Sequence, residues 1–404
     1  MKMKNDSFRS IWISSATSEL GGALFTACNS ILIYEITGSP TALGLVWLIY
    51  YIPSFLMQLF IGPYIDRWSR KTIMISCQLT RMLLALVLIC SLLLNNFTIT
   101  FIYIVQVIVG MIMPIFTPAN QAILPTILRK EQLVKANASL ESIRQVMAIM
   151  GPIVSGIFID VLSIVWILVI ISIAFALSAL GLLKVNENYE KSTIRKPWME
   201  EFREGLHSYF KHKLVVWLGI FFGFVQFGVG VTIVTTLPYI TTILNQSYSA
   251  YGLFMAGFPI GYTIGALLHT KLGKIKGVGI LFSALFIGGC TYLSLSITPW
   301  YSLAIVTEII AGMVIAIFNI YNITLIQTLI PNQLLGKVTS VRLLIMRTML
   351  PLGILFATLC SPFISIRTLY FVIGSVICIT AFWGYLYVNK RHIGEQQLLT
   401  HEVR

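Results

Sequence analysis

Charged residues are scarce in this sequence. Only 11% of its 404 residues are Asp, Glu, Lys or Arg, whereas 57% are hydrophobic and the mean hydropathy is +0.86. Soluble domains usually contain about 45–50% apolar residues, and a soluble fold would have to bury stretches such as 82–94 on every side. The shortage of charge therefore favours a chain that lies in a lipid bilayer.

The sequence also lacks the residue patterns of enzymes and metal proteins. None of its six cysteines pairs at CxxC spacing, and its five histidines have no ligand spacing. HExxH and GxxxxGK(S/T) are absent, as is a GxGxxG that follows a strand. We therefore expect no metal, no cofactor and no enzymatic activity, and a power source other than nucleotide hydrolysis.

What the chain does contain is long apolar runs. A bilayer core of about 30 Å requires about 20 residues of helix, and twelve stretches meet this length. They run near 11–34, 43–64, 73–94, 99–121, 141–162, 164–184, 214–237, 250–270, 278–297, 301–323, 341–362 and 368–388. The sequence predicts an all-α integral membrane protein with twelve transmembrane helices in two pseudo-symmetric six-helix bundles.

The basic residues predict the orientation of these spans. With an even number of spans both termini share a side, and the loops on that side hold most of the Lys and Arg residues outside the spans. Because cytoplasmic loops are enriched in these residues, we place both termini in the cytoplasm. The formal charge of +13 then indicates contact with membrane lipids rather than with nucleic acid.

One long hydrophilic segment divides the spans six and six. Residues 185–213 form a predicted cytoplasmic loop between an N-terminal bundle at 1–184 and a C-terminal bundle at 214–404. Within the loop, apolar side chains recur at helical spacing at Trp198, Phe202, Leu206 and Tyr209. This pattern predicts a helix that lies on the inner membrane surface, and the alternative is a solvated linker.

The two predicted bundles share a sequence feature. RKEQLVKANAS (129–139) follows the fourth span, and IPNQLLGKVTS (330–340) follows the tenth. Parallel repeats of this kind are typical of transporters whose halves rock about a site near the middle of the membrane.

The stretch GPYIDRWSRK (62–71) concentrates charge between the second and third spans. It resembles the GxxxDRxxR(K/R) signature that the major facilitator superfamily carries at this position, and the resemblance implies the major facilitator fold. FTPANQAILP (116–125), MGPIVSG (150–156) and MEEFREGL (199–206) extend the resemblance to drug:proton antiporters that include macrolide-efflux proteins and siderophore exporters. The signature assigns gating to Gly62, Asp66, Arg67, Arg70 and Lys71.

Asp66 is the residue of this motif that a topology signal does not explain. By the resemblance, Gly62 lets the second span approach the eleventh closely. Asp66 then lies near the amino terminus of the eleventh span, where a negative charge contributes about 0.3–1 kcal/mol when exposed and up to about 2 kcal/mol when partly buried. This contact would be a cytoplasmic latch, with the basic residues held by acidic partners or lipid phosphates; the alternative is a basic anchor that only fixes topology.

The fifth span contains residues that weaken a helix. Gly151, Pro152, Ser155 and Gly156 offer a bend and a thin helix face, which membrane helices tolerate when neighbouring groups satisfy the freed backbone. The pattern resembles the antiporter signature of the superfamily and favours export over uptake.

Two acids lie inside predicted spans. An acid at mid-depth costs roughly 2.5–3.5 kcal/mol on insertion scales, so Glu19 and Glu308 need a reason to be there. Each belongs to a polar stripe at helical spacing; the stripes contain Ser15, Gly22, Thr26 and Asn29 in the first span, and Gly312, Asn319 and Asn322 in the tenth. We predict proton coupling or substrate binding for both acids, with a structural hydrogen bond as the alternative.

The resemblance adds further residues to this cavity, because spans one, four, seven and ten line it in the superfamily. Gln106 comes from the fourth span and Gln226 from the seventh. Many antiporters carry an arginine in the fourth span, and this chain departs from that pattern with Gln106.

Four arginines lie inside or near spans, namely Arg81, Arg144, Arg342 and Arg347. Arg144 can pair with Glu141 one turn away, and the others can extend toward lipid phosphates. The alternative makes Arg144 or Arg347 a modulator of a nearby acid.

Together these patterns predict a monomeric bacterial plasma-membrane exporter of amphipathic small molecules, driven by protons through alternating access. The alternatives are a proton-coupled nutrient symporter, a membrane sensor that does not transport, and an intramembrane enzyme.

Overall fold

The fold is helical throughout the part of the chain that the structure describes. The structure, a computed structural model, describes residues 6–60, 68–187, 203, 206–207, 209–211, 213–272, 279–330 and 332–390. Its twelve long helices are α1 (Asp6–Thr37), α2 (Pro40–Phe60), α3 (Arg70–Leu93), α4 (Ile99–Ala122), α5 (Lys130–Val161), α6 (Ile164–Leu183), α7 (Lys213–Pro238), α8 (Tyr248–Leu272), α9 (Gly279–Ile297), α10 (Tyr301–Leu329), α11 (Asn332–Cys360) and α12 (Ile366–Lys390).

The prediction of a helical membrane protein is confirmed. In the described ranges, eleven helices are long and apolar enough to cross a membrane, and the apolar part of α11, Met346–Cys360, is shorter. Two helices begin well before the predicted spans: α5 at Lys130 instead of 141, and α11 at Asn332 instead of 341. Residues 130–139 and 332–340 of the polar repeat segments are therefore helical. The sequence prediction placed both helix starts too late because hydropathy marks the apolar part of a helix and not its polar end.

The helices group into two compact units. Unit 1 comprises Met1–Thr193 and Gln246–Ala256, and unit 2 comprises Ile194–Asn245 and Gly257–Arg404. The first part of α8 thus belongs to unit 1 and the rest to unit 2. The boundaries predicted at 184 and 213 enclose a segment that is largely outside the described residues, and the division at these positions stays a prediction.

Unit 1 is built around α1, which packs against α5 and α6, while α3 packs against α6 and α2 against α4. Two buried serines join α1 to α6: the Ser14 hydroxyl donates to the Ser178 carbonyl oxygen at 2.9 Å, and the Ser178 hydroxyl donates to the Ser14 carbonyl oxygen at 2.9 Å. Gly110 of α4 lies against the backbone of Tyr50 in α2. These close contacts fix the orientation of α1, α2 and α4, whose side chains line the cavity described below.

Unit 2 repeats this order of pairs. Helix α7 packs against α11 and α12, and α9 packs against α12. Glycines again allow close approach, since Gly261 of α8 lies against the Ile309 backbone of α10 and Gly353 of α11 lies against the Phe227 backbone of α7. The repeat inferred from the sequence is therefore visible in the helix pairs of each unit.

The predicted surface helix falls mainly outside the described residues. Trp198 and Phe202 are not described. Tyr209 is helical and only 1% exposed, with its hydroxyl against Gly219 of α7. A helix on the membrane surface stays a prediction for the rest of the segment.

Candidate functional site

Unit 1 contains a cavity of about 360 Å³, lined by residues from α1 to α5. This volume is within the range of small-molecule sites, about 300–1,000 Å³. Six of the predicted site residues lie on its wall: Glu19, Thr26, Asn29, Gln106, Arg144 and Pro152. The stripe on α1 faces one space because its members recur at three and four residues along the helix.

Glu19 lies beside an arginine of α5. The Glu19 carboxylate is 3.9 Å from Nε of Arg144, and the Arg144 guanidinium also donates a hydrogen bond to Glu141 at 2.7 Å. The side chains of Glu19 and Arg144 are 42% and 39% exposed, so both ends of the pair reach open space. Arg144 therefore makes the local pair expected with Glu141 and also faces the intramembrane acid.

Arg81 of α3 departs from its sequence expectation. The side chain was expected to extend toward lipid phosphate, but Arg81 is only 4% exposed and lines the cavity. Its guanidinium lies 4.0 Å from the centre of the Phe175 ring, which is a cation–π contact. Nη1 donates long hydrogen bonds to Ser18 Oγ at 3.3 Å and to Gln78 Oε1 at 3.4 Å. Its position eleven residues into α3, too deep to reach the surface easily, was the signal available in the sequence.

Arg342 is also buried, at 5% exposed, so the expectation that it extends to the lipid surface is wrong as well. Arg347 of α11 is exposed. A modulating role for Arg347 stays a prediction.

An aromatic wall from α2 closes one side of the cavity. Trp47 stacks on Tyr51 with ring centres 5.9 Å apart, and Tyr50 meets both rings edge to face at 5.8 and 4.9 Å. The sequence WLIYY at 47–51 carried this signal, but a single aromatic cluster in an apolar span does not indicate which way it faces.

Buried amides leave hydrogen-bonding capacity in the cavity. Asn29 is 1% exposed, and neither atom of its side-chain amide has a partner among the described residues. Asn120 of α4 donates to Ser15 Oγ at 3.4 Å, while its Oδ1 has no partner there. Because buried polar groups are usually satisfied, these amides are suited to a polar ligand or to water.

The predicted gating motif is only partly described. Gly62, Asp66 and Arg67 lie outside the described residues, so the latch stays a prediction. Arg70 and Lys71 form the first turn of α3, and their backbone N–H groups donate to the Glu187 carboxylate at 3.0 Å each. Ser69 Oγ also donates to Glu187 at 2.6 Å.

Glu187 thus closes the amino end of α3 with a negative charge from beyond α6. This is the acidic partner that the motif lacked in the sequence. A carboxylate at this position favours the helix dipole and accepts N–H groups that the helix itself leaves unpaired. The Arg70 guanidinium is 3.8 Å from the same carboxylate.

The glycine- and proline-containing stretch of α5 is a packing surface within unit 1. Gly156 lies against the Tyr248 carbonyl oxygen and Gly252 of α8, and Gly252 in turn lies against the Pro152 carbonyl oxygen. Ser155 Oγ donates to the Gly151 carbonyl oxygen at 2.7 Å. The absence of side chains at two facing positions lets α5 and the start of α8 approach to backbone contact.

Asp160, one turn beyond Gly156, caps the start of α8. Its carboxylate accepts the N–H groups of Tyr248 at 3.2 Å and of Ser249 at 2.8 Å, and it also accepts the Ser249 hydroxyl. The Tyr248 side chain hydrogen-bonds Glu35 of α1. Sequence reasoning missed Asp160 because its partner lies 88 residues away along the chain.

The remaining predicted site residues belong to unit 2. Glu308 of α10 packs against Gly257 of α8, where a Cβ atom would be 3.4 Å from the glutamate side chain. Gln226 and Asn319 are half-buried. Their role in a shared substrate site stays a prediction.

Comparison with known proteins decides the family. Residues 11–348 match the family model described as Major Facilitator Superfamily. The chain belongs to this superfamily. The match covers most of the chain, so the resemblance seen in GPYIDRWSRK is confirmed. The prediction that the protein is not an enzyme is supported, because the family consists of transporters.

Individual relatives are distant but aligned over most of their length. Macrolide efflux protein A of Streptococcus pyogenes is 23% identical over 92% of this chain and 94% of its own. Enterobactin exporter EntS of Escherichia coli O1:K1 / APEC is 21% identical over 82% of this chain and 80% of its own. The crystal structure of nucleoside transporter NupG has a TM-score of 0.77 at 14% identity, covering 95% of this chain and 99% of that one, and this likeness supports the major facilitator fold alone.

Proposed function

We propose that the protein exports amphipathic small molecules across the bacterial plasma membrane, with a proton entering as the substrate leaves. The observation that carries this proposal is the carboxylate of Glu19 on the wall of a cavity that also holds aromatic rings, amides and the guanidinium of Arg144. The names of two relatives, a macrolide efflux protein and an enterobactin exporter, support export as the direction.

Glu19 is placed to lose its attraction to Arg144 when it binds a proton. The deprotonated carboxylate attracts Arg144, and protonation removes this attraction while Glu141 retains its 2.7 Å bond to the same arginine. Arg144 from α5 would thus take the part that a fourth-span arginine has in many antiporters. A change of charge in the cavity would then favour one access state over the other.

The proton gradient is sufficient for such export. One proton crossing about 100 mV releases roughly 2.3 kcal/mol, and each pH unit adds about 1.4 kcal/mol. Together these terms support a gradient of about several hundred-fold for a neutral substrate.

Access would alternate between the two faces of the membrane. In this proposal both termini and the motif 62–71 lie in the cytoplasm, and Asp66 latches the inner side when it is closed. Asp160 would have the corresponding part at the opposite end of α5, where it holds the start of α8.

Transport by inverted membrane vesicles tests the proposal. A panel of fluorescent drugs should accumulate in vesicles that contain the protein, and an uncoupler should abolish the accumulation. Glu19→Gln should carry substrate only downhill, so that a gradient of about several hundred-fold falls to unity.

Glu141→Gln is the matched control, because it removes the other acid next to Arg144 from a side chain that is 62% exposed. This variant should keep uncoupler-sensitive accumulation. The proposal fails if no compound shows uncoupler-sensitive accumulation, or if Glu19→Gln transports as the unmodified protein does.

A further inference from the structure

Arg81 has no carboxylate within ion-pair distance among the described residues, and Glu19 attracts it only from longer range. The side chain is buried, and among the described residues its guanidinium donates hydrogen bonds to two neutral groups, Ser18 at 3.3 Å and Gln78 at 3.4 Å. Its Nε has no hydrogen-bond partner among the described residues. A buried charge is costly unless it is paired and well hydrogen-bonded, so this guanidinium has capacity for an acceptor that the cavity walls do not supply.

The Glu19 carboxylate is in closer contact with Arg144 than with Arg81. In the described residues, Glu19 is the carboxylate on the cavity wall, and its ion pair is with Arg144. With Arg81 and Arg144 both on the wall, guanidinium groups outnumber carboxylates by two to one. Glu141 offsets the charge of Arg144 at 2.7 Å but does not line the cavity.

The guanidinium is accessible from the cavity because residue 22 is a glycine. A Cβ atom at Gly22 would be 2.8 Å from Nη2 of Arg81, so that any side chain there would displace this nitrogen from its present position. The aromatic wall of Trp47, Tyr50 and Tyr51 lines the same space. A charged donor and an apolar ring surface therefore face one cavity.

We propose that the substrate is an organic anion: a carboxylate or phenolate oxygen binds Arg81, and an aromatic or apolar body packs on the Trp47–Tyr51 wall. A guanidinium binds such oxygens through charge-assisted hydrogen bonds, which are about twice as strong as neutral ones. This inference names the substrate class of the proposed exporter and rests on that function. It also predicts that cations are disfavoured in this cavity.

Binding of three matched probes to the purified full-length protein tests the inference. 1-Naphthoate, 1-naphthamide and 1-naphthylmethylammonium share one ring system and differ in charge, and calorimetry or equilibrium dialysis measures their Kd. The anion should bind about 10-fold more tightly than the amide, and the cation should bind most weakly. This tenfold difference in Kd corresponds to about 1.4 kcal/mol.

Substitutions then assign the preference to Arg81. Arg81→Gln should bind the anion and the amide equally, and Arg81→Lys should retain part of the preference because the charge remains. If Arg81→Gln does not fold, Gly22→Ala decides, since its Cβ displaces Nη2 from the cavity wall and keeps the charge. The anion preference should fall. Gly181→Ala is its control, because a Cβ at residue 181 makes ordinary contacts at 3.5 and 3.6 Å.

The inference is overturned if the unmodified protein prefers the amide or the cation, if it binds none of the probes, or if the variants keep the full anion preference. These outcomes are separate from those of the vesicle experiment. Uncoupler-sensitive export of neutral or cationic drugs, together with no anion preference, would leave the proposed export intact and refute the substrate class.

Discussion

Asp160 offers a sharp test of how α8 is attached to unit 1. Its carboxylate accepts two backbone N–H groups and one hydroxyl at the start of the helix. Asp160→Ala removes all three bonds, and Asp160→Asn removes the charge while keeping one carbonyl acceptor. Loss of a helix cap costs about 0.5–2 kcal/mol, and loss of the charge alone at an exposed helix terminus, as here, costs about 0.3–1 kcal/mol.

These values predict the size of the effect. A loss of about 2 kcal/mol raises the population in which the first turn of α8 is detached by about 30-fold. The amide hydrogens of Tyr248 and Ser249, which bond to Asp160, should exchange with solvent faster by about that factor in Asp160→Ala. The increase in Asp160→Asn should be smaller.

Hydrogen-exchange mass spectrometry of a peptide that covers the start of α8 measures this change, and the cap at α3 supplies the control. Glu187→Gln removes the corresponding carboxylate from the amino end of α3, so it should accelerate exchange at Arg70 and Lys71 and leave α8 unchanged. The reasoning is refuted if Asp160→Ala changes α8 exchange by less than about twofold, or if both variants affect both helices equally.

Two further substitutions probe the packing of unit 1. Gly252→Val places a side chain against the Pro152 carbonyl oxygen, so we expect a loss of about 1–3 kcal/mol in stability together with loss of transport. The unfolding temperature in detergent and uptake by vesicles measure these two effects. Unchanged values would contradict the contact, and Gly181→Ala is the control that should be tolerated. Ser14→Ala should cost about 1 kcal/mol because it removes a buried hydrogen bond to the Ser178 carbonyl oxygen. The two hydroxyl oxygens are also 2.7 Å apart, so Ser14→Ala with Ser178→Ala should cost less than the sum of the single changes. An additive result would indicate that the two hydroxyls do not interact.

The sequence was sufficient for the span count and for the α1 stripe. Apolar length alone locates a membrane helix, and a repeat of three and four residues places Glu19, Thr26 and Asn29 on one face. The helix starts at 130 and 332 were not predicted, because their first turns are polar and a hydropathy pattern does not register them.

The caps and the buried arginine could not be derived in the same way. Glu187 and Asp160 each act on a helix that is distant along the chain, and a single sequence carries no information about which helix ends meet. Arg81 was assigned to the lipid surface because a long basic side chain usually extends there. Only the packing of α3 against α1 and α6 shows that Arg81 is enclosed near Ser18 and Phe175.

The composition of unit 1 has a consequence for dissecting the protein. Because residues 246–256 belong to this unit although they come after the start of unit 2, a fragment that ends between the sixth and seventh spans is missing a piece of its own fold. Such a fragment would leave the carboxylate of Asp160 without its N–H partners and the surface at Gly156 uncovered. Co-expressed halves would therefore assemble by complementation, with the second fragment supplying the missing turns of the first.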